Sequence, residues 1–200
     1  MTQSIAVLIS GNGTNLQALL DAQADGGLGP GRVKLVAADR KSAYGLARAE
    51  AAGVETAVIP RKKQEYLLPP LKNSSIDWVV LSGYLSILPE KLINEYRNRI
   101  INIHPALSPA FSGMGFYGLK AHEAVLASGV KITGATVHFV DEGVDTGAII
   151  AQRAVPVLQG DTAETLRGRV LETEHKLLVE TVKALVEGRV CLEDGKAWVT

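Results

Sequence analysis

The chain has 200 residues, 46% apolar and 21% charged, with 21 basic and 21 acidic side chains and a formal net charge of zero. That balance is enough to fill a hydrophobic core, and it excludes a broad nucleic-acid surface, which needs a clear basic excess. A single cysteine, Cys191, excludes a disulfide framework and a cysteine-rich zinc site.

The N-terminal stretch MTQSIAVLIS has no basic region and only a short apolar run, so it reads as a strand rather than a signal peptide. No segment approaches the roughly 20 apolar residues of a membrane helix. The expectation is a soluble, cytoplasmic protein with one domain over 1–200. SIAVLIS is a strand apolar on both faces, and GNGTNLQALLDAQ is a turn running into a helix. VKLVAAD is a second strand, YGLARAEAAG a helix stopped by Gly53, and ETAVIP a third strand. The only basic run, Arg61-Lys62-Lys63, reads as a solvated loop. A helix over 64–73 is interrupted by Pro69-Pro70. IDWVVLSGY is a fourth strand; Pro89 opens a helix through Tyr96; RIINIH is a fifth strand. Residues 105–117 form a long loop rich in glycine, proline and small residues, a length that points to function. LKAHEAVLAS is a helix, and GATVHFV and AIIAQRAVPV are strands. The 3.6-residue recurrence of Leu166, Val170, Leu177, Leu178, Val182 and Leu185 predicts one helix over 161–187, capped by Asp161. RVCLEDGKAWV closes the chain as a hairpin around Asp194-Gly195.

Strands alternating with helices imply right-handed crossovers and an α/β fold: a mostly parallel twisted sheet of about seven strands with helices on both faces. The last strands lack intervening helices, so that edge is expected to be antiparallel or mixed.

Three stretches carry chemistry. In ISGNGTNLQ a strand feeds a glycine turn that opens a helix, so backbone N–H groups and a positive dipole end face whatever sits there, most often phosphate. The third glycine of a dinucleotide fingerprint and the Gly-Lys-Ser/Thr of a P-loop are missing. The plainer alternative is a tight turn with Thr14 as helix cap. In IINIHPALSP, Asn102 and His104 share one strand face, and Pro105 forces His104 to be extended at the strand tip. In open parallel sheets that edge binds ligands; the alternative is a core histidine with Asn102 capping the loop. In VHFVDEGVDTGAI, a carboxylate near His104 would hold its ring and raise its pKa, but spacing does not choose among Asp141, Glu142 and Asp145. A zinc site from His104, His138 and an aspartate lacks any close ligand spacing, so no metal is expected.

Taken together, four stretches resemble the phosphoribosylglycinamide formyltransferase family of folate-dependent formyltransferases, over nearly the whole length. VLISGNGTNLQAL resembles its phosphate loop, VLSGYLSILP its folate segment, NIHPALSPAF its catalytic strand and loop, and GATVHFVDEGVDTGAIIAQ its aspartate loop. The resemblance implies a Rossmann-like formyltransferase fold with phosphate-binding βα units over about 1–100. The catalytic strand, aspartate loop, long helix and hairpin would fill about 101–200. It also implies transfer of a formyl group from 10-formyltetrahydrofolate to the amine of phosphoribosylglycinamide, in purine synthesis. Asn102 matches the amide that donates to the oxyanion, worth about 2.7–4 kcal/mol in comparable sites. His104 matches the catalytic histidine, acting as an imidazolium, and Asp145 the carboxylate that orients it and raises its pKa. Gly11, Asn12, Gly13, Thr14 and Asn15 match the phosphate loop, and Glu174 the acid that contacts ribose. Leu85, Ser86, Ile87, Leu88, Asn102, Val140, Asp141 and Asp145 match the folate site. The implied partners are these small molecules, with no nucleic acid and no membrane, on a monomer or homodimer.

Two stretches depart from the family pattern. Ser86 stands where many members carry arginine, and Arg61 is the nearest counterpart of the arginine that often follows the third strand. LSPAFSGMGFYGLKAH replaces the usual loop, with Ser108 for leucine. Among alternatives, methionyl-tRNA formyltransferase would bring a basic C-terminal domain, and formyltetrahydrofolate hydrolase an N-terminal regulatory one. A nucleotide-binding oxidoreductase would want the third glycine and an acid after the second strand, for which Asp39 is the only candidate. A catalytically dead binding module would have no need of Asn102, His104 and Asp145 together.

Overall fold

The computed structural model describes residues 1–200. Seven strands form the main sheet: β1 (Gln3–Ile9), β2 (Gly31–Ala38), β3 (Glu55–Val58), β4 (Trp78–Ser82), β5 (Ile100–His104), β6 (Ile132–Phe139) and β7 (Ile149–Pro156). Their spatial order is β3-β2-β1-β4-β5-β6-β7. Pairing is parallel from β3 to β5, whereas β6 runs antiparallel to β5 and β7 antiparallel to β6.

β1 explains the two-sided core. Ile5 to Ile9 are fully buried, and alternate residues face opposite layers. Ile5, Val7 and Ile9 join one cluster with Leu16 and Leu19 of α1 (Thr14–Ala24) and Leu178 and Val182 of α6 (Ala163–Val186). Ala6 and Leu8 join the other, with Leu71 of α3 (Leu68–Asn73) and Leu92 and Ile93 of α4 (Glu90–Glu95). Each fully buried leucine or isoleucine contributes about 1.5–3 kcal/mol, so this strand anchors both layers. From β1 the chain first builds outward through α2 (Gly45–Ala51) to β3, then returns to place β4 on the other side. That reversal opens a crevice at the carboxyl ends of β1 and β4.

Several expected details differ. Pro69 and Pro70 do not interrupt a helix; they lie in the first turn of α3, where no intrahelical N–H is needed, after a separate 3-10 turn, Arg61–Tyr66. α6 is capped by Thr162, not Asp161: the Thr162 hydroxyl accepts from Thr165 N–H, and the Thr165 hydroxyl accepts from Thr162 N–H. Asp161 instead pairs with Arg169 at 2.8 Å. The antiparallel turn to β6 comes despite an intervening helix, α5 (Leu119–Ser128), which packs on α6. The terminal hairpin β8 (Val190–Glu193) and β9 (Lys196–Val199) lies against β7. No helix is long and apolar enough to cross a membrane.

Candidate active site

A cavity of about 440 Å³ occupies the crevice. On one side lies the turn after β1. Gly13 has φ 72°, and a Cβ there would sit 2.8 Å from the Gly45 Cα, so only glycine fits. The turn is fixed from outside. Gly11 carbonyl accepts from Gly45 N–H at 3.1 Å, and Arg48 donates to the Asn12 carbonyl at 2.8 Å. Thr14 is the first residue of α1 and not its cap; Gly13 holds the cap position and no side chain bonds there. The first-turn N–H groups of α1 are thereby left without a side-chain partner beside the cavity, a ready anion site.

Asn15 and Glu174 join this turn to α6. Asn15 Nδ2 donates to Glu174 Oε2 at 2.6 Å, while Asn15 Oδ1 is buried with no partner. Burial pushes the Glu174 carboxyl up to about 7, with Asn15 and Arg167 opposing the shift. All six residues expected at the phosphate and ribose, Gly11 to Asn15 and Glu174, line this cavity.

Asn102 and His104 lie on β5, two residues apart, and reach one carboxylate, Asp145. Asn102 Nδ2 donates to Asp145 Oδ1 at 3.2 Å and to His138 Nε2 at 3.2 Å. His104 Nδ1 lies 3.4 Å from Asp145 Oδ2, and His138 Nε2 lies 3.5 Å from Asp145 Oδ1. His104 Nε2 faces the Phe111 carbonyl at 2.7 Å, and Gly113 N–H donates to Asp145 Oδ2 at 2.9 Å. The long loop thus touches both catalytic candidates. His138 Nδ1 donates to the Phe139 carbonyl at 2.7 Å, leaving Nε2 to accept from Asn102.

Burial lowers the His104 pKa, while the Asp145 carboxylate, as expected, and the Phe111 carbonyl push it up without cancelling that. For Asp145, burial acts upward, but the neighbouring His138 and His104 imidazoles and the Gly113 N–H outweigh it and hold the carboxyl below its usual range.

The three acids of the loop after β6 have three separate jobs. Asp141 accepts from Gly143 N–H at 3.0 Å and from the Thr146 hydroxyl at 2.6 Å, stapling the turn. Glu142 reaches outward to Arg97 at 2.5 Å. Asp145, at φ 57°, turns inward. The loop returns so tightly that a Cβ on Gly147 would lie 1.9 Å from the Phe139 carbonyl oxygen.

A second cavity of about 140 Å³ adjoins the first, sharing Tyr84, Ser86, Ile87, Asn102, Val144 and Asp145. Leu88, Val140 and Asp141 line it; Leu85 lines the first. The residues expected at folate therefore border the two cavities together. Leu85 N–H donates to Ser10 Oγ at 2.8 Å, tying this segment to the end of β1. Ser86 turns away, its hydroxyl donating to Asp39 Oδ2 at 2.9 Å. Arg61 spends its guanidinium on the same buried carboxylate at 2.7 Å. Asp39 thus balances Arg61 and Arg40 and binds Ser86.

Sequence reasoning missed His122 and Arg167 on the cavity wall. Burial, with Arg167 and His104 adding to it, pushes the His122 pKa down to about 4, and its Nδ1 has no partner. Arg167, Leu171 and Glu174 follow i, i+4, i+7 spacing on α6, the signal that could have found them.

Residues 3–182 match the family model described as formyl transferase. A protein of Vigna unguiculata named as a chloroplastic phosphoribosylglycinamide formyltransferase is 43% identical over 195 residues, covering 94% of this chain. The chain spans 62% of that relative's length. The phosphoribosylglycinamide formyltransferase of Haemophilus influenzae is 36% identical, with 98% of this chain and 93% of that protein aligned. The crystal structure of glycinamide ribonucleotide transformylase 1 from Symbiobacterium toebii superposes with a TM-score of 0.92 at 44% identity, over 99% of this chain and 94% of that one. On that family match and these relatives, the chain belongs to the formyl transferase family and, within it, to the phosphoribosylglycinamide formyltransferases.

Proposed function

We propose that this chain transfers the formyl group of 10-formyltetrahydrofolate to the amine of 5'-phosphoribosylglycinamide, releasing tetrahydrofolate and the N-formyl product. The substrate's phosphate sits at the head of α1 and its ribose against Glu174. Its amine points toward β5, where the formyl group enters from the two adjoining cavities bordered by Leu85, Ile87, Leu88 and Val140. The neutral amine attacks the formyl carbon; a C–N bond forms and the carbonyl electrons move onto oxygen. Asn102 donates an N–H to that oxygen, giving up one of its present acceptors. His104 takes the proton that the attacking nitrogen sheds, its Nε2 leaving the Phe111 carbonyl to do so while Nδ1 keeps facing Asp145. The resulting imidazolium is held by the Asp145 carboxylate and returns the proton to the departing folate nitrogen as the C–N bond to folate breaks. Protons and electrons balance with no outside reagent. In this reading the N-terminal half supplies the phosphate cradle and the C-terminal half the acid–base groups, with Glu174 crossing between them.

The observation that carries this reading is that one carboxylate, Asp145, lies within 3.2–3.5 Å of Asn102, His104 and His138 on the wall of a cavity that also holds a glycine-loop helix head. The test is the absorbance change of 10-formyl-5,8-dideazafolate with and without phosphoribosylglycinamide. Consumption only with both present supports transfer; equal consumption without the amine shows a hydrolase and ends the proposal.

A further inference from the structure

The chain has ten arginines, and nine of them spend their guanidinium on a side chain or carbonyl of the protein. Arg167 is the exception: it is exposed, with no hydrogen bond and no ion pair. It is also the only lysine or arginine lining the main cavity.

Its place on α6 is informative. Asn15, in the first turn of α1, meets Glu174, and Gly29, past the end of α1, lies against Glu187. The two helices therefore run side by side in the same sense. Arg167 precedes Glu174 by seven residues on the cavity-facing stripe that also carries Leu171, about 10 Å along the axis. It therefore lies beyond the first turn of α1, on the side to which that helix points its N–H groups. An anion held there would meet backbone N–H groups from one direction and a guanidinium from another. Backbone donors alone carry no full charge, and a phosphate ester carries nearly two. A guanidinium matches phosphate oxygens in pairs.

We propose that Arg167 supplies the cationic contact to the substrate's 5'-phosphate and thereby sets this chain's preference for a phosphorylated over an unphosphorylated ribosylglycinamide. This rests on the formyl-transfer reading for the identity of the substrate, while the site itself rests on the cavity wall. It also accounts for the unspent guanidinium: an arginine already paired to a carboxylate would have to lose that partner before it could take a phosphate.

The test compares the unmodified chain with Arg167→Ala and Arg167→Lys, using circular dichroism to show that all three are folded. In Arg167→Ala the KM for phosphoribosylglycinamide rises about 10-fold or more. The KM for the formyl donor holds, and kcat falls by less than KM rises. Arg167→Lys lies between the two. With the dephosphorylated ribosylglycinamide the three proteins behave alike, and inorganic phosphate inhibits the alanine variant less. An unchanged KM in Arg167→Ala, or the same proportional loss with the dephosphorylated compound, overturns the proposal. Calorimetric binding of phosphoribosylglycinamide without folate separates the two claims. If the unmodified chain binds it but turns nothing over, formyl transfer fails while the ratio of Kd values still tests Arg167. If it turns over and the Kd values match, Arg167 alone fails.

Discussion

At the head of α1, backbone N–H groups and one cation face the cavity unspent, although Asn15 and Glu174 hold each other. No side chain caps the helix, Asn15 Oδ1 is buried without a partner, and Arg167 has no counter-ion. At the tip of β5 the opposite holds. The Asn102 amide donates to Asp145 and His138; His104 stands between Asp145 and the Phe111 carbonyl; Asp145 also takes the Gly113 N–H. The first region is built to receive a ligand with little rearrangement. The second must exchange protein partners for substrate partners, because a buried polar group cannot be left without one. Binding and chemistry should therefore respond differently to mutation.

The largest expected effect comes from breaking the exchange region. Asp145→Asn keeps the volume but removes the charge that holds an imidazolium, and His104→Ala removes the proton carrier. Each should cut kcat by about 10²–10⁴-fold with far smaller changes in the Kd for phosphoribosylglycinamide. Turnover and calorimetric binding, measured on the same samples, check this. A matched loss in both would erase the distinction between the regions.

Next is Gly13→Ala, which attacks the receiving region. The added methyl meets the Gly45 backbone at 2.8 Å and sits at φ 72°, so stability should fall by about 1–3 kcal/mol. Phosphoribosylglycinamide binding should weaken as well. Urea unfolding and calorimetry provide the two readings. Near-normal stability would mean that the turn is looser than its packing implies.

The smallest effect sharpens the comparison through pH. Glu174 is an acid whose folded pKa, about 7, exceeds its ordinary value of 4.5. The folded state therefore binds more protons than the unfolded state between those values, so the wild-type chain loses stability as pH rises from about 4.5 to about 7. Glu174→Gln has no such titration. Its stability relative to wild type should rise over that window and level off above it, in urea titrations at each pH. A parallel pair of curves would show that Glu174 is charged in the fold throughout.

How much of this could be read from residues depends on whether the signal was local. The strands announce themselves by apolar runs, and the parallel sheet follows from their alternation with helices. Asn102 and His104 were placed together by strand geometry alone. Asp145 was not separable from Asp141 and Glu142 by spacing, since their roles depend on partners far away or set by the turn: Asn102 and His104, Thr146, and Arg97. Ser86 shows the same limit. Its hydroxyl is directed by Asp39, 47 residues away in sequence. The upward pull of a carboxylate on His104 is legible in sequence, while the depth of burial that outweighs it is not. At α6 the helix was clear, but two adjacent residues competed for its cap, and Asp161 was drawn off by Arg169.

The 2.6 Å bond between Asn15 and Glu174 spans 159 residues. A nascent polypeptide emerging from the ribosome folds from its N-terminus, yet this wall of the cavity is not complete until its last long helix has been made and docked. A ligand that binds this cavity can thus stabilise only finished copies, by mass action on the folded form. Products of premature termination before residue 174 gain nothing from it and are left to proteolysis.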